Sequence, residues 1–244
     1  MYAYHATKLA FIADVATGHI GDLILAGYKE NFGRETGGTE VKAWQESLAH
    51  LAVVLDDSTI TPDLEIVIEY KLAPTGKRAD VLLLGKNVAG VGQVIVVELK
   101  QWAAAEITNK DGVIKAVVGA NWRELAHPSY QANSYATLLG HFNQAVYENK
   151  VTVSACAWLH NYQDDGVITD PVYAAYVQQA PVFLQGKTGK FRDFIAQRIT
   201  QGAPGLLALI ENSAVKPSPS VAENLPAALL GRDEFIMLDE QKVV

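Results

Sequence analysis

A buried central strand is predicted by residues 94–97, Val-Ile-Val-Val, because they are apolar at consecutive rather than alternate positions. A strand of this kind must be covered on both faces of its sheet. Its pattern extends over residues 93–100, and two more strand candidates precede it at residues 64–72 and 78–85, with turn residues between them. We therefore expect three successive strands to be neighbours in one sheet.

Helical patterns lie before and after these strands. The first 55 residues look helical, and within residues 39–55 apolar side chains recur every three or four positions. Residues 111–118 offer a further strand, residues 127–148 a long helix and residues 151–160 another strand. The order helix, three strands, helix, strand predicts an α/β fold with a central mixed sheet flanked by helices.

The pattern changes after about position 181, where short helical stretches replace the strands. These stretches cover residues 191–199 and 205–210. We predict a main domain at residues 1–185 and a helical extension or linker at residues 186–244, which agrees with ordinary domain sizes.

Composition argues against several classes of protein. No apolar run reaches the roughly 18–20 residues that cross a bilayer, so we expect a cytoplasmic protein without a membrane partner. Cys156 is the only cysteine, which excludes an intrachain disulfide, and its apolar neighbours predict that it packs in the core. The net charge of −7 argues against a large nucleic-acid surface, because Lys and Arg supply most affinity for phosphates.

Three charged residues are candidates for chemistry. Asp80 begins the second predicted strand, whereas Glu98 and Lys100 end the third and share a face because they are two apart. Two carboxylates suit Mg²⁺ or Mn²⁺, and a lysine offsets phosphate charge, so the set meets the needs of phosphodiester hydrolysis. The alternative is that these are ordinary charges at a solvated strand end, with Asp80 paired to Arg78 or Lys77. An isolated Glu-x-Lys favours that alternative.

Two further glutamates are relevant to such a site. Glu40 falls on the apolar stripe of residues 39–55, so its carboxylate is expected to point towards the core, as a second metal ligand or as support for Lys100. Glu69 ends an alternating strand. It fits a further acidic ligand and a solvated strand face equally well.

Asp80 followed by Glu98-Leu99-Lys100 on a neighbouring strand resembles the defining signature of the PD-(D/E)XK nucleases. The preceding helix with Glu40 fits the same pattern. The resemblance implies a restriction-endonuclease-like core and metal-dependent hydrolysis of DNA. In that reading Asp80 and Glu98, with Glu40 and the carbonyl of Leu99, bind Mg²⁺ or Mn²⁺, and Lys100 assists the attacking water.

A second motif points to one branch of these nucleases. Gln131 and Tyr135 match the Q-x-x-x-Y element of the RecB-like branch, and positions four apart share a helix face. The resemblance implies that both support the site by positioning substrate or an outer water.

Four short blocks also resemble the N-terminal region of bacterial proteins in which a nuclease-like domain precedes a P-loop helicase or ATPase domain. They are residues 68–71, 98–102, 127–131 and 158–162. The resemblance implies a part in DNA processing or anti-phage defence, DNA as partner and a C-terminal helicase or ATPase domain. No ATP site is expected in residues 1–244, because the Gly-Lys-Thr at 186–188 lacks the earlier glycine of a phosphate loop. The rival interpretation is a catalytically silent nucleic-acid-binding or protein-docking module with the same fold.

Overall fold

The structure, a computed structural model, describes residues 1–33, 38–73 and 75–223, except for the side chains of residues 38–40. The strands in chain order are β1 (Tyr4–Thr7), β2 (Glu65–Lys71), β3 (Arg78–Lys86), β4 (Gly92–Leu99), β5 (Ala105–Ile107), β6 (Val113–Val118), β7 (Asn121–Ala126), β8 (Thr152–Leu159) and β9 (Val182–Leu184). The α-helices are α1 (Lys8–Ala16), α2 (Ile20–Phe32), α3 (Gly38–Leu55), α4 (Pro128–Phe142), α5 (Gln144–Glu148), α6 (Ala174–Gln179), α7 (Thr188–Ala196) and α8 (Leu206–Glu211).

A six-stranded mixed sheet with the order β1-β2-β3-β4-β8-β9 forms the centre of the fold. The pairs from β1 to β4 are antiparallel, whereas β4, β8 and β9 run parallel. Parallel neighbours need a crossover connection, and α4 lies between β4 and β8 along the chain. The predicted α/β fold with a mixed, helix-flanked sheet is confirmed.

The apolar run of β4 is covered on both faces, as its sequence predicts. Ile95 and Val97 pack in a cluster with α1, α2, α3 and α7, whereas Val94 and Val96 pack in a cluster with α4 and α8. The three central strands were each predicted to within two residues at either end. These predictions succeed because consecutive apolar residues give a strand that is buried on both faces, and a strand of this kind is easily recognised in the sequence.

Two helical predictions are wrong in detail. The first 55 residues are not helical throughout, because Tyr4–Thr7 form the edge strand β1 paired with β2. The helix predicted at residues 127–148 is interrupted at Asn143, whose extended backbone ends α4. The Asn143 side chain accepts a hydrogen bond from the Val146 amide and so caps α5, a role for which Asn is well suited.

A second, three-stranded antiparallel sheet of β5, β6 and β7 is inserted between β4 and α4. The strand predicted at residues 111–118 corresponds to β6. One face of this sheet buries Ile114 and Ala116 against Trp102 and Tyr173. The insertion brings the hairpin of β6 and β7 close to the end of β4.

The described residues beyond position 185 pack on both faces of the large sheet. Phe191 and Ile195 of α7 join the cluster with α3, and Leu207 and Ile210 of α8 join the cluster with α4. The boundary at 185 stays a prediction.

Among the described residues, no single helix is both long and apolar enough to cross a membrane. The helices α1 and α2 reach the required length and composition only together, and they are bent by 114° against each other.

Candidate active site

A cleft of about 770 Å³ opens at the ends of β3 and β4. One wall is α3, from which Lys42 and Trp44 face the cleft, and the other is the hairpin of β6 and β7. Asp80, Leu99 and Lys100 also line it. Of the predicted site residues at these strand ends, Asp80, Leu99 and Lys100 therefore line the cleft, whereas Glu98 is buried next to it.

Antiparallel pairing brings Asp80 and Glu98 together. Val81 on β3 is opposite Val97 on β4, so the next residues along these strands, Asp80 and Glu98, are opposite each other. Asp80 Oδ2 accepts a hydrogen bond of 2.8 Å from the Leu99 amide. This bond fixes one oxygen of Asp80 and holds the carboxylate against the backbone of β4.

The electrostatics of this pair are unfavourable in the absence of added positive charge. Burial raises the pKa of Asp80 well above its usual range, and the neighbouring Glu98 carboxylate raises it further. Lys100 and the Leu99 amide act in the opposite direction, but they do not compensate fully. Glu98 is itself only 1% exposed, so water does little to screen the repulsion.

Lys100 provides the nearest positive charge. Its Nζ donates a 2.6 Å hydrogen bond to Glu98 Oε1, and the ammonium also lies 5.9 Å from the centre of the Trp102 ring. Lys100 follows the last residue of β4, and its amide donates to the Trp158 carbonyl at 3.1 Å, which continues the parallel ladder. The expected common face of Glu98 and Lys100 is thus observed as a direct ion pair.

Glu69 is a third carboxylate beside the pair. It lies opposite Asp80 on β2 and is 6% exposed, so the solvated strand face considered from sequence is wrong. Trp44 Nε1 donates to one Glu69 oxygen at 3.0 Å and Arg78 Nε to the other at 2.5 Å. Burial and the charge of Asp80 raise the pKa of Glu69, and these two donors lower it.

The backbone of Glu69 is unusual for a residue with a side chain. Its φ is +54°, in the left-handed region, which costs roughly 1–2 kcal/mol for a non-glycine residue. Ile68 before it and Tyr70 after it pack on opposite clusters, although residues two apart in a regular strand share a face. The regular alternation of side chains between the two faces of the sheet is therefore shifted by one residue at Glu69. Strained backbone of this kind often occurs at functional sites.

Gln131 and Tyr135 lie on α4, the helix that packs against β4 and β8. Gln131 Nε2 donates to the Tyr135 hydroxyl at 3.1 Å, so their predicted common face is observed. Tyr135 is buried in the same cluster as Val96, two residues before Glu98. Neither side chain lines the cleft, but Tyr135 packs on the face of β4 that Val96 and Glu98 share.

Glu40 falls within α3, but its side chain lies outside the described residues. The cleft-lining residues Lys42 and Trp44 follow it by two and four positions on the same helix.

Sequence reasoning missed a polar link between α3 and the end of β4. Gln101, directly after Lys100, donates to the Ala43 carbonyl at 2.7 Å and to Ser47 Oγ at 2.8 Å. Ser47 Oγ is also 3.3 Å from Nε2 of His160, whose pKa is lowered to about 4 by burial and by nearby His50. No local sequence pattern predicts these hydrogen bonds, because the residues that they join are more than fifty positions apart in the chain.

The carboxylates at the ends of β3 and β4 are of the chemical type that binds a divalent cation. Mg²⁺ takes oxygen ligands from one or two carboxylates and keeps several waters, and Asp80 and Glu98 offer two adjacent carboxylates whose repulsion a cation would relieve. Within the described part of the chain, no group of three or more Asp, Glu, His or Cys side chains has the arrangement of a metal site. The fit thus rests on a two-carboxylate centre.

Comparisons of the chain with protein-family models, with curated proteins and with solved structures found no match.

Proposed function

We propose that this protein is a metal-dependent nuclease that hydrolyses DNA phosphodiester bonds at the floor of the cleft. The observation that carries the proposal is the association of Asp80, Glu98 and Lys100 at neighbouring strand ends, through the Lys100–Glu98 ion pair and the Leu99–Asp80 hydrogen bond. A buried carboxylate next to a second carboxylate costs free energy, and such clusters of charge are common at functional sites.

Asp80, Glu98 and the carbonyl of Leu99 would hold Mg²⁺ or Mn²⁺. The bound ion would supply Lewis-acid polarisation of a phosphoryl oxygen. The neighbouring Glu98 raises the pKa of Asp80, and a bound cation would favour the ionised form of both carboxylates.

Lys100 orients the attacking water and offsets the negative charge that grows on the phosphate. The oxygen of that water forms a bond to phosphorus while the bond to the leaving sugar oxygen breaks; the water gives up one proton to solvent, and the leaving oxygen takes up one proton from solvent. Glu98 fixes the ammonium at 2.6 Å, which reduces the reorganisation needed during the reaction. The Gln131–Tyr135 pair packs on the same face of β4 as Glu98 and supports this strand.

The chain order supports a restriction-endonuclease-like core as the framework. A helix, α3, precedes the antiparallel strands β2, β3 and β4, and the helix α4 then leads to β8, parallel to β4. That order and the placement of the charged residues agree with the resemblance to PD-(D/E)XK nucleases of the RecB-like branch. A C-terminal helicase or ATPase domain and a part in anti-phage defence remain proposals that rest on the resemblance.

A catalytically silent module with the same fold is the second candidate. It is favoured by the net charge of −7 and by the ion pair of Lys100 with Glu98, which also suits a purely structural role. Cleavage separates the two candidates.

The test is incubation with linear duplex, closed circular and single-stranded DNA, with Mn²⁺, with Mg²⁺ or with EDTA. We expect cutting of at least one substrate with metal and none with EDTA. The matched control is Lys150→Ala, which removes an exposed lysine outside the cleft. Cutting that survives in EDTA, or binding without any cutting, would exclude the proposed mechanism.

A further inference from the structure

The hairpin of β6 and β7 forms one wall of the cleft and carries an exposed aromatic side chain. Val117, Val118 and Gly119 of this hairpin line the cleft. Trp122 is paired across the hairpin with Val117, so it stands at the rim next to a cleft-lining residue. It is 44% exposed, whereas the three other tryptophans, Trp44, Trp102 and Trp158, are each less than 10% exposed.

A cation covers part of the Trp122 ring. Lys115 Nζ lies 5.0 Å above its centre, and the same ammonium forms an ion pair with Glu106 at 2.8 Å. The hairpin thus offers an exposed π surface next to Lys115, and a surface of this kind can take up an unstacked base.

Charge decides which kind of nucleic acid suits this chain. Affinity for duplex DNA comes largely from neutralised phosphates, and a net charge of −7 provides few such contacts. Base stacking on an aromatic ring needs no net positive charge, but it needs bases that are not already stacked in a duplex. A single strand can therefore gain at Trp122 what a duplex cannot.

We infer that Trp122 is a base-stacking site for a single-stranded polynucleotide, which runs from the rim of the β6–β7 hairpin into the cleft. This inference rests on the proposed function and narrows its substrate class to single strands or unpaired ends. The hairpin wall then acts as the entry platform, and the strand backbone descends towards Lys100 at the floor.

The experiment measures binding rather than cutting and is done in EDTA. The fluorescently labelled ligands are a thymidine oligonucleotide and a uridine oligonucleotide of 20 residues each, and a DNA duplex of 20 base pairs. The proteins are wild type, Trp122→Ala, Trp122→Phe and the control Val172→Ala, which shortens an exposed apolar side chain on another surface. For Trp122→Ala we expect about 5- to 150-fold weaker binding of both single strands, the equivalent of ~1–3 kcal/mol. Trp122→Phe should retain most of the affinity, since it keeps a ring.

Two further readouts separate stacking from a phosphate contact. Because stacking is not a charge interaction, Trp122→Ala should leave the salt dependence unchanged, whereas each lost phosphate contact lowers the slope by about 0.7 for a single strand. Tryptophan fluorescence of the wild type should be quenched by the thymidine 20-mer, and Trp122→Phe should reduce the quenching, since Trp44 and Trp102 also line the cleft.

Equal affinity of Trp122→Ala and wild type, or tighter binding of the duplex than of either single strand, would overturn the inference. Trp122-dependent binding together with no cutting in Mn²⁺ would uphold the stacking site and reject the nuclease. Cutting without any effect of Trp122 on binding would do the reverse.

Discussion

Replacement of Asp80 by Asn should have opposite effects on the apo protein and on its response to metal. The amide of Asn keeps an oxygen for the Leu99 amide but removes one of two repelling carboxylates. Because the folded protein raises the pKa of Asp80, the ionised carboxylate opposes folding at neutral pH. Metal-free Asp80→Asn should therefore be more stable than metal-free wild type. An aspartate with a purely structural ion pair would show the opposite sign.

The size of the expected effect can be estimated for the stabilisation by Mn²⁺. At a free Mn²⁺ concentration one hundred times the dissociation constant, a site present only in the folded state adds about 2.7 kcal/mol to the free energy of unfolding. For a chain of 244 residues, each kcal/mol raises the melting temperature by roughly 2–4 °C, so wild type should gain about 5–11 °C. Asp80→Asn should lose most of this gain.

The assay is thermal unfolding by calorimetry or circular dichroism, with and without Mn²⁺, supported by titration calorimetry. Asp164→Asn is the matched control, since Asp164 is exposed and lies outside the cleft. The control should respond to Mn²⁺ as wild type does. A wild type without a shift, or an Asp80→Asn with a full shift, would refute the two-carboxylate centre.

Three other predictions follow from neighbouring residues. Lys100→Ala should lower the rate of DNA cutting by ~10²–10³-fold, measured in single turnover, with a Mn²⁺ melting shift at least as large as that of wild type, since a competing positive charge is lost but no ligand; near-normal cutting would remove Lys100 from the mechanism. Gln101→Ala should lower the cutting rate less than Lys100→Ala does, because it releases the segment after Lys100 from α3; a rate equal to wild type would make that link irrelevant. Burial lowers the pKa of His127 from 6.5 to about 4, so the unfolded chain binds the proton first as the pH falls. The free energy of unfolding is therefore highest above about pH 6.5, and about 3 kcal/mol of it is lost as the pH approaches 4. Urea unfolding of wild type and His127→Gln across this range should show a flatter pH dependence in the variant.

The central strands and the contact of Glu98 with Lys100 could be predicted because their signals are local. Consecutive apolar residues fix β4 as a buried strand, and the two-residue spacing of Glu98 and Lys100 fixes their common face. The four-residue spacing of Gln131 and Tyr135 likewise predicts their contact, which the hydrogen bond confirms.

What could not be predicted depends on tertiary partners. The edge strand β1 is four residues long and is defined by its pairing with β2, which no periodicity within it reveals. Glu69 is buried because a left-handed backbone turns it towards Trp44 and Arg78, whereas regular alternation cannot decide its side. The exposure of Trp122 follows from its position on the β6–β7 hairpin, and that position depends on the inserted sheet.

The most direct test of the proposed centre is a double-mutant cycle on the single-turnover rate of DNA cutting. Asp80→Asn, Glu98→Gln and the double variant are compared with wild type under saturating Mn²⁺. If the two carboxylates act as one unit, each single change removes most of the activity and the double variant is little slower than the slower single variant. Wild-type cutting in either single variant, or losses that simply multiply in the double variant, would contradict a shared centre at Asp80 and Glu98.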